Sequence, residues 1–347
     1  MHACLNYFVF TFAAALLPLN PAPIGEVVRP ADLAAKLGTE LEKSYVFEDK
    51  GVAMAAALKS KSATGAWAGL EGEALAEALT TTCRSVANDL HMRVRYEKEG
   101  APRTQNAFFQ DAGAARREWT RRNHGFERAE RLRGNVGYID MREFVPADLS
   151  RATAAAAMAF LQDTDALIID LRKNGGGDPD AVRFLCSYFF GEEPVLLNRL
   201  VNREMGTSEE FWRLKELPGK RYVDKPVFVL VSSKTFSAAE EFAYNLQSRG
   251  RATIVGKTTG GGAHPVDMRK LAGGFSVTIP IARAENPVTK TNWEGVGVKP
   301  EVEAEDDAAL DRAWSLALER MAESEKDAER KRELLQLAAE KAVGSAR

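Results

Sequence analysis

The chain is poor in the residues that staple a fold or bias its charge. Three cysteines in 347 residues, Cys4, Cys83 and Cys186, are odd in number and unrelated in spacing, which excludes a disulfide framework and a cysteine-rich zinc site. No metal and no cofactor is implied. With 47 basic against 49 acidic residues there is no cationic excess for nucleic acid, and the arginines at 116, 117, 121 and 122 read as a solvated face. Histidines number only four: His2, His91, His124 and His264. No apolar run is long enough for a mature membrane span. The longest, Tyr7 to Leu17 followed by Pro18, Pro21 and Pro23, has signal-peptide length, so residues 1–23 are expected to be a secretory leader and the mature protein periplasmic or secreted. Its flank lacks lysine and arginine, so a cytoplasmic location is the alternative.

What is present suits a sizeable core, with 45% apolar residues. Helical periodicity over Pro30 to Val46, Lys50 to Leu58 and Leu70 to Leu90 predicts a small helical domain over 28–90. Strand-like stretches at 92–96 and 136–141 flank a charged, loop-rich insertion at 97–134. An alanine-rich helix at 150–162 then opens an alternation: strand at 166, helix at 180–190, strand at 227, helix at 237 and strand at 252–255. Such alternation predicts an α/β fold with parallel strands and helical crossovers. A further strand is predicted at 274–283, a helix over Asp307 to Met321, and a charged helical tail from 321 to 347 that packs on the core or on a partner.

Two junctions carry the chemistry. Ala166-Leu-Ile-Ile-Asp-Leu-Arg-Lys-Asn-Gly-Gly-Gly177 reads as a buried strand running into a glycine turn, and Val227-Phe-Val-Leu-Val-Ser-Ser-Lys-Thr-Phe-Ser237 as a buried strand running into a helix start. A serine at that start sits among free N–H groups at the positive end of the helix dipole, where an oxyanion is stabilised. The plainer readings are a capping box over Ser237-Ala-Ala-Glu240, and a turn, N-cap and N1 proline at Gly175–Pro179.

Together with Val255-Gly-Lys-Thr-Thr-Gly-Gly-Gly-Ala-His-Pro265 and Trp293-Glu-Gly-Val-Gly-Val-Lys-Pro-Glu301, these motifs stand in an order that resembles the tail-specific, carboxyl-terminal processing proteases of peptidase family S41. Within that family the chain is most similar to the branch of tricorn protease and the interphotoreceptor retinoid-binding protein repeats. The resemblance covers about residues 30–320. It implies a crotonase/ClpP-like ββα superhelix as the catalytic core over 91–320. The insertion at 97–134 is too short for a PDZ domain. Relatives with a Ser/Lys dyad carry the lysine where this chain has Gly262, and Lys257 reads as a strand-end residue.

A serine needs a neighbouring base near neutral pH. The resemblance assigns that role to His91 and the orienting carboxylate to Glu294, with Ser237 as nucleophile and N–H donors from Gly176, Gly177 and Ala238. His264 and Arg172 are expected to touch substrate, an unfolded chain or a peptide. The retinoid-binding repeats supply the alternative, a non-catalytic module for apolar ligands on the same fold. Gly256-Lys257-Thr258 is no phosphate loop, because Arg251 stands where the motif needs glycine. Homo-oligomerisation is left open by the sequence.

Overall fold

The computed structural model describes residues 28–98 and 112–344, so the expected leader lies outside the described residues. In chain order the helices are α1 (Pro30–Ser44), α2 (Glu48–Ala63), α3 (Gly72–Ala87), α4 (Ala112–Arg121), α5 (Ala147–Leu161), α6 (Pro179–Cys186), α7 (Ala238–Gln247), α8 (Ala309–Ser324) and α9 (Ala328–Gly344). The strands are β1 (Arg93–Tyr96), β2 (Phe126–Leu132), β3 (Val136–Met141), β4 (Ala166–Asp170), β5 (Leu196–Asn202), β6 (Thr207–Trp212), β7 (Val227–Val231), β8 (Thr253–Gly256), β9 (Val266–Lys270), β10 (Phe275–Pro280), β11 (Ala282–Glu285) and β12 (Val302–Glu303). Among the described residues no helix is long and apolar enough to cross a membrane.

The central sheet has the order β12-β8-β7-β4-β3-β2, parallel throughout except for β2 at the edge. Its middle strands, Ala-Leu-Ile-Ile-Asp and Val-Phe-Val-Leu-Val, are buried at every position, as a sheet covered on both faces demands. Alternation sorts their side chains. Leu167, Ile169, Val229 and Val231 join the core under α5, α6 and α7, whereas Ile168, Phe228 and Leu230 face α8 and α9. The mixed α/β class read from the alternation is therefore the observed one.

A second apolar core unites α1, α2 and α3 with Met92, Val94, Phe275, Val277 and Ile279. The amino-terminal helices thus complete a layer with the sheet β1-β10-β9, and β10 draws the far end of the chain into it. A third sheet, β11-β5-β6, adjoins both. At its β5–β6 turn Arg203 reaches across to α1, donating to the carbonyls of Glu42 (2.9 Å), Lys43 (2.7 Å) and Tyr45 (2.8 Å). Those carbonyls are the unpaired acceptors of a helix end, so the guanidinium closes the helix and joins it to the sheet.

Two expectations change in detail. The stretch at 97–134 holds α4 and β2 as well as loop, because β2 pairs with β3 through a tight turn at Arg133–Asn135. The single strand expected at 274–283 divides after Pro280 into β10 and β11, which belong to different sheets.

Candidate active site

The two junctions read from the sequence lie side by side and are bonded together. Thr235 Oγ1 donates to the Leu171 carbonyl (2.8 Å), Ser232 Oγ to the Arg172 carbonyl (2.6 Å) and the Phe236 N–H to the Asn174 carbonyl (3.1 Å). Ser237 follows at the N-cap of α7 with φ 56° and ψ −123°, a conformation that costs a non-glycine residue about 1–3 kcal/mol. The glycine turn lies directly on it. A Cβ on Gly176 (φ 108°) would come 2.7 Å from Ser237 Cβ and 3.0 Å from Ala238 N. Only glycine admits that approach.

The expected N–H donors divide on inspection. Gly176 N–H is already taken, donating to Asn174 Oδ1 at 2.9 Å. Among the described residues Gly177 N–H meets no acceptor, and Ala238, first in its helix, has no intrahelical acceptor for its own. These two remain.

Glu240 does more than cap. Fully buried, its carboxylate accepts the Ser237 N–H (2.8 Å), the Gly261 N–H (2.7 Å), the Gly262 N–H (2.8 Å) and Thr259 Oγ1 (2.5 Å). It therefore fastens the serine junction to the 259–262 loop. The sequence signal was the capping box itself, which predicts the local bond and says nothing of the loop.

His91 arrives from the helical layer. Helix α3 ends on Asn88 in the left-handed conformation (φ 50°), and Asp89 Oδ1 then accepts the His91 backbone N–H at 2.9 Å, an Asx-turn. The half-buried imidazole packs on Phe236, the residue before the serine, with ring centroids 4.5 Å apart. A Cβ on Gly262 would lie 2.6 Å from His91 Cε1 and 2.3 Å from Phe236 Cζ. No lysine side chain could enter there, because the imidazole occupies the space. Burial pushes His91 down to about 4, against the opposing charge of Asp89.

Glu294 stands elsewhere than expected. Its Oε2 accepts the Ala263 N–H (2.5 Å) and lies 3.5 Å from His264 Nδ1, so its imidazole neighbour is His264 rather than His91. Burial first, and the Asp89 charge second, push its carboxyl up to about 7. His264, expected at substrate, is buried with Nδ1 2.7 Å from Asp89 Oδ2 and its ring edge-on to Phe47. Arg172, the other expected substrate contact, forms an ion pair with the Asp170 carboxylate and donates to the Asp306 carbonyl. Asp89 went unread, although Asp-Leu-His after a helix end is a recognisable Asx-turn.

Asp89, His264 and Glu294 offer ligand atoms within 4.8 Å of one another, the one such group among the described residues that could hold a metal. Two ligands about 2.0 Å from a tetrahedral ion stand roughly 3.3 Å apart. The 2.7 Å between Asp89 and His264 is instead a hydrogen-bond distance. Lys257 pairs with Glu305 at 2.5 Å on the surface. Beside the site, a groove of about 790 Å³ runs between the helical layer and the third sheet, lined among others by Phe47, Arg203 and Arg283.

The arrangement is that of an α/β protein with a strained serine at a strand-to-helix turn, beside free backbone donors and a packed imidazole. Residues 135–304, just under half of the chain, match the model of peptidase family S41. It is 32% identical over 153 residues to a carboxyl-terminal-processing protease of Synechocystis sp., covering 44% of this chain and 34% of the relative. Against a carboxy-terminal processing protease of Bacillus subtilis the identity is 27% over 172 residues, covering 49% and 35%. The chain thus spans about a third of the length of these curated relatives. Among solved structures, a Parabacteroides merdae protein superposes with a TM-score of 0.59 at 19% identity, covering 83% of this chain and 96% of that one. A lipoprotein from Streptococcus agalactiae gives 0.55 at 13%, covering 88% and 100%. Both share the fold.

Proposed function

We propose that this chain is a serine peptidase acting on peptides or unfolded protein chains outside the cytoplasm, on a core of the crotonase-like ββα kind. Ser237 Oγ attacks the scissile carbonyl while the His91 imidazole takes its proton. The carbonyl oxygen gathers negative charge against the N–H groups of Gly177 and Ala238. His91 then returns the proton to the departing amine, and water releases the acyl group by the same route in reverse.

The observation that carries this reading is the packing at Gly262. Where Ser/Lys relatives carry a lysine, this chain has a residue without a side chain, and the His91 ring fills that room next to Phe236. A base has been exchanged for a base. A neutral imidazole, kept neutral by burial, is in the protonation state that accepts a proton.

The test is fluorophosphonate labelling of the full chain with adduct mapping. Wild type should be modified at Ser237, Ser237→Ala not at all, and His91→Ala at least about 100-fold more slowly, the usual range for a lost general base. A folded wild type that no serine-directed probe modifies would overturn the reading and favour a non-catalytic binding role.

A further inference from the structure

The buried polar cluster behind His91 is larger than an orienting carboxylate requires, and its connections run in one direction. Asp89 is 2% exposed and accepts three hydrogen bonds from three elements: the His91 backbone N–H at Oδ1 (2.9 Å), and Tyr45 OH (3.0 Å) and His264 Nδ1 (2.7 Å) at Oδ2. Burial alone would raise its carboxyl, but the His264 bond and the neighbouring imidazoles hold it below the ordinary range. Glu294 reaches His264 from the opposite side, 3.5 Å away. The charged and titratable groups facing the pair of histidines are Arg84 from α3, Tyr45 from the end of α1, Asp89, Glu294, and Glu240 from α7.

We propose that Asp89 is the positioning carboxylate of this site, fixing His91 through its backbone and His264 through its ring, and that Glu294 acts on the reaction only through His264. This rests on the Ser237–His91 reading above. Two physical points support it. A buried ionic cluster is a poor way to gain stability, since apolar residues of similar volume do as well, so its presence beside the serine calls for another reason. Moreover, Asp89 is the carboxylate whose charge opposes the burial of His91, and an imidazole that must accept a proton needs that charge to stabilise the cation it becomes. An asparagine is no equivalent, because it carries no charge and its NH₂ group on the His264 side would require that ring to give up its Nδ1 proton.

The rate of Ser237 phosphonylation is compared in folded full-length variants. Asp89→Asn should slow it by at least about 100-fold, within the range of a lost general-base contribution. Glu294→Gln should slow it by about 10-fold, and in a His264→Asn background by less than about 2-fold, the non-additivity of groups acting in series. Labelling of Asp89→Asn at the wild-type rate, or a Glu294→Gln effect undiminished without His264, overturns the proposal while leaving Ser237 as the nucleophile. Absence of labelling in wild type would instead overturn the underlying reading. A measurement that needs no variant is ¹⁵N NMR of histidine-labelled wild type: His264 should carry a proton on Nδ1, and a neutral ring protonated only on Nε2 would overturn the proposal even if every variant failed to fold.

Discussion

The serine side and the histidine side of the site are built from different materials. On the serine side the parts are backbone: a strained N-cap, two approachable glycines, and N–H groups gathered on Glu240. On the histidine side they are charges and rings from separate elements, Tyr45, Asp89, His91, His264 and Glu294, joined largely through side chains. The first kind tolerates almost no added atom. The second tolerates substitution in shape but not in charge.

The largest effect should follow an added atom on the serine side. Gly176→Val places a branched carbon where even Cβ is 2.8 Å from the Phe236 carbonyl oxygen and 2.7 Å from Ser237 Cβ, at a φ of 108°. We expect labelling to be abolished and stability to fall by about 2–4 kcal/mol, summing backbone strain and overpacking. Equal labelling of this variant and wild type would show that the turn is not part of the site.

A smaller effect separates the sides by pH. Glu241, beneath Glu240 on the same helix, is raised to about 7 by burial, so the folded protein holds its proton more firmly than the unfolded chain does. Its stabilising contribution is complete below the unfolded value of about 4.5 and is lost as pH rises toward 7. Glu241→Gln should therefore gain on wild type by roughly 2–3 kcal/mol between pH 5 and pH 8 in urea titrations. His91 runs the other way. With its value lowered to about 4, its contribution is present above about 6.5 and lost on acidification, so the difference between variant and wild type isolates Glu241. A difference that does not change with pH would contradict the burial argument.

The smallest effect concerns the rival source of a base. Lys257→Ala removes a surface pair with Glu305, and both the labelling rate and the melting temperature should stay at wild-type values. A large loss of labelling would move the base from the helical layer into the sheet.

The serine side was the more legible of the two in sequence, because it is local. An apolar run, a turn and a helix start within a dozen residues dictate where Ser237 and the glycine turn fall, and the parallel sheet follows from their alternation. What escaped depends on distance or on surroundings. Asp89 lies 175 positions from His264, and only the folded chain joins them. Gly176 could not be told from Gly177 as a donor until Asn174 was seen to take its N–H. The strands β5, β6 and β9 were missed because their sequences mix charged and polar with apolar residues and their burial does not alternate, so no period of two stands out.

Arg203 has a consequence for how such a molecule would fail. Its three bonds to the end of α1 fasten the layer that carries Asp89 and His91 to the third sheet, β11-β5-β6. On the proposed mechanism, parting those layers would take His91 away from Ser237. On the mechanism proposed above, competence would depend on the docking of the layers, to which the tip of this hairpin contributes three bonds.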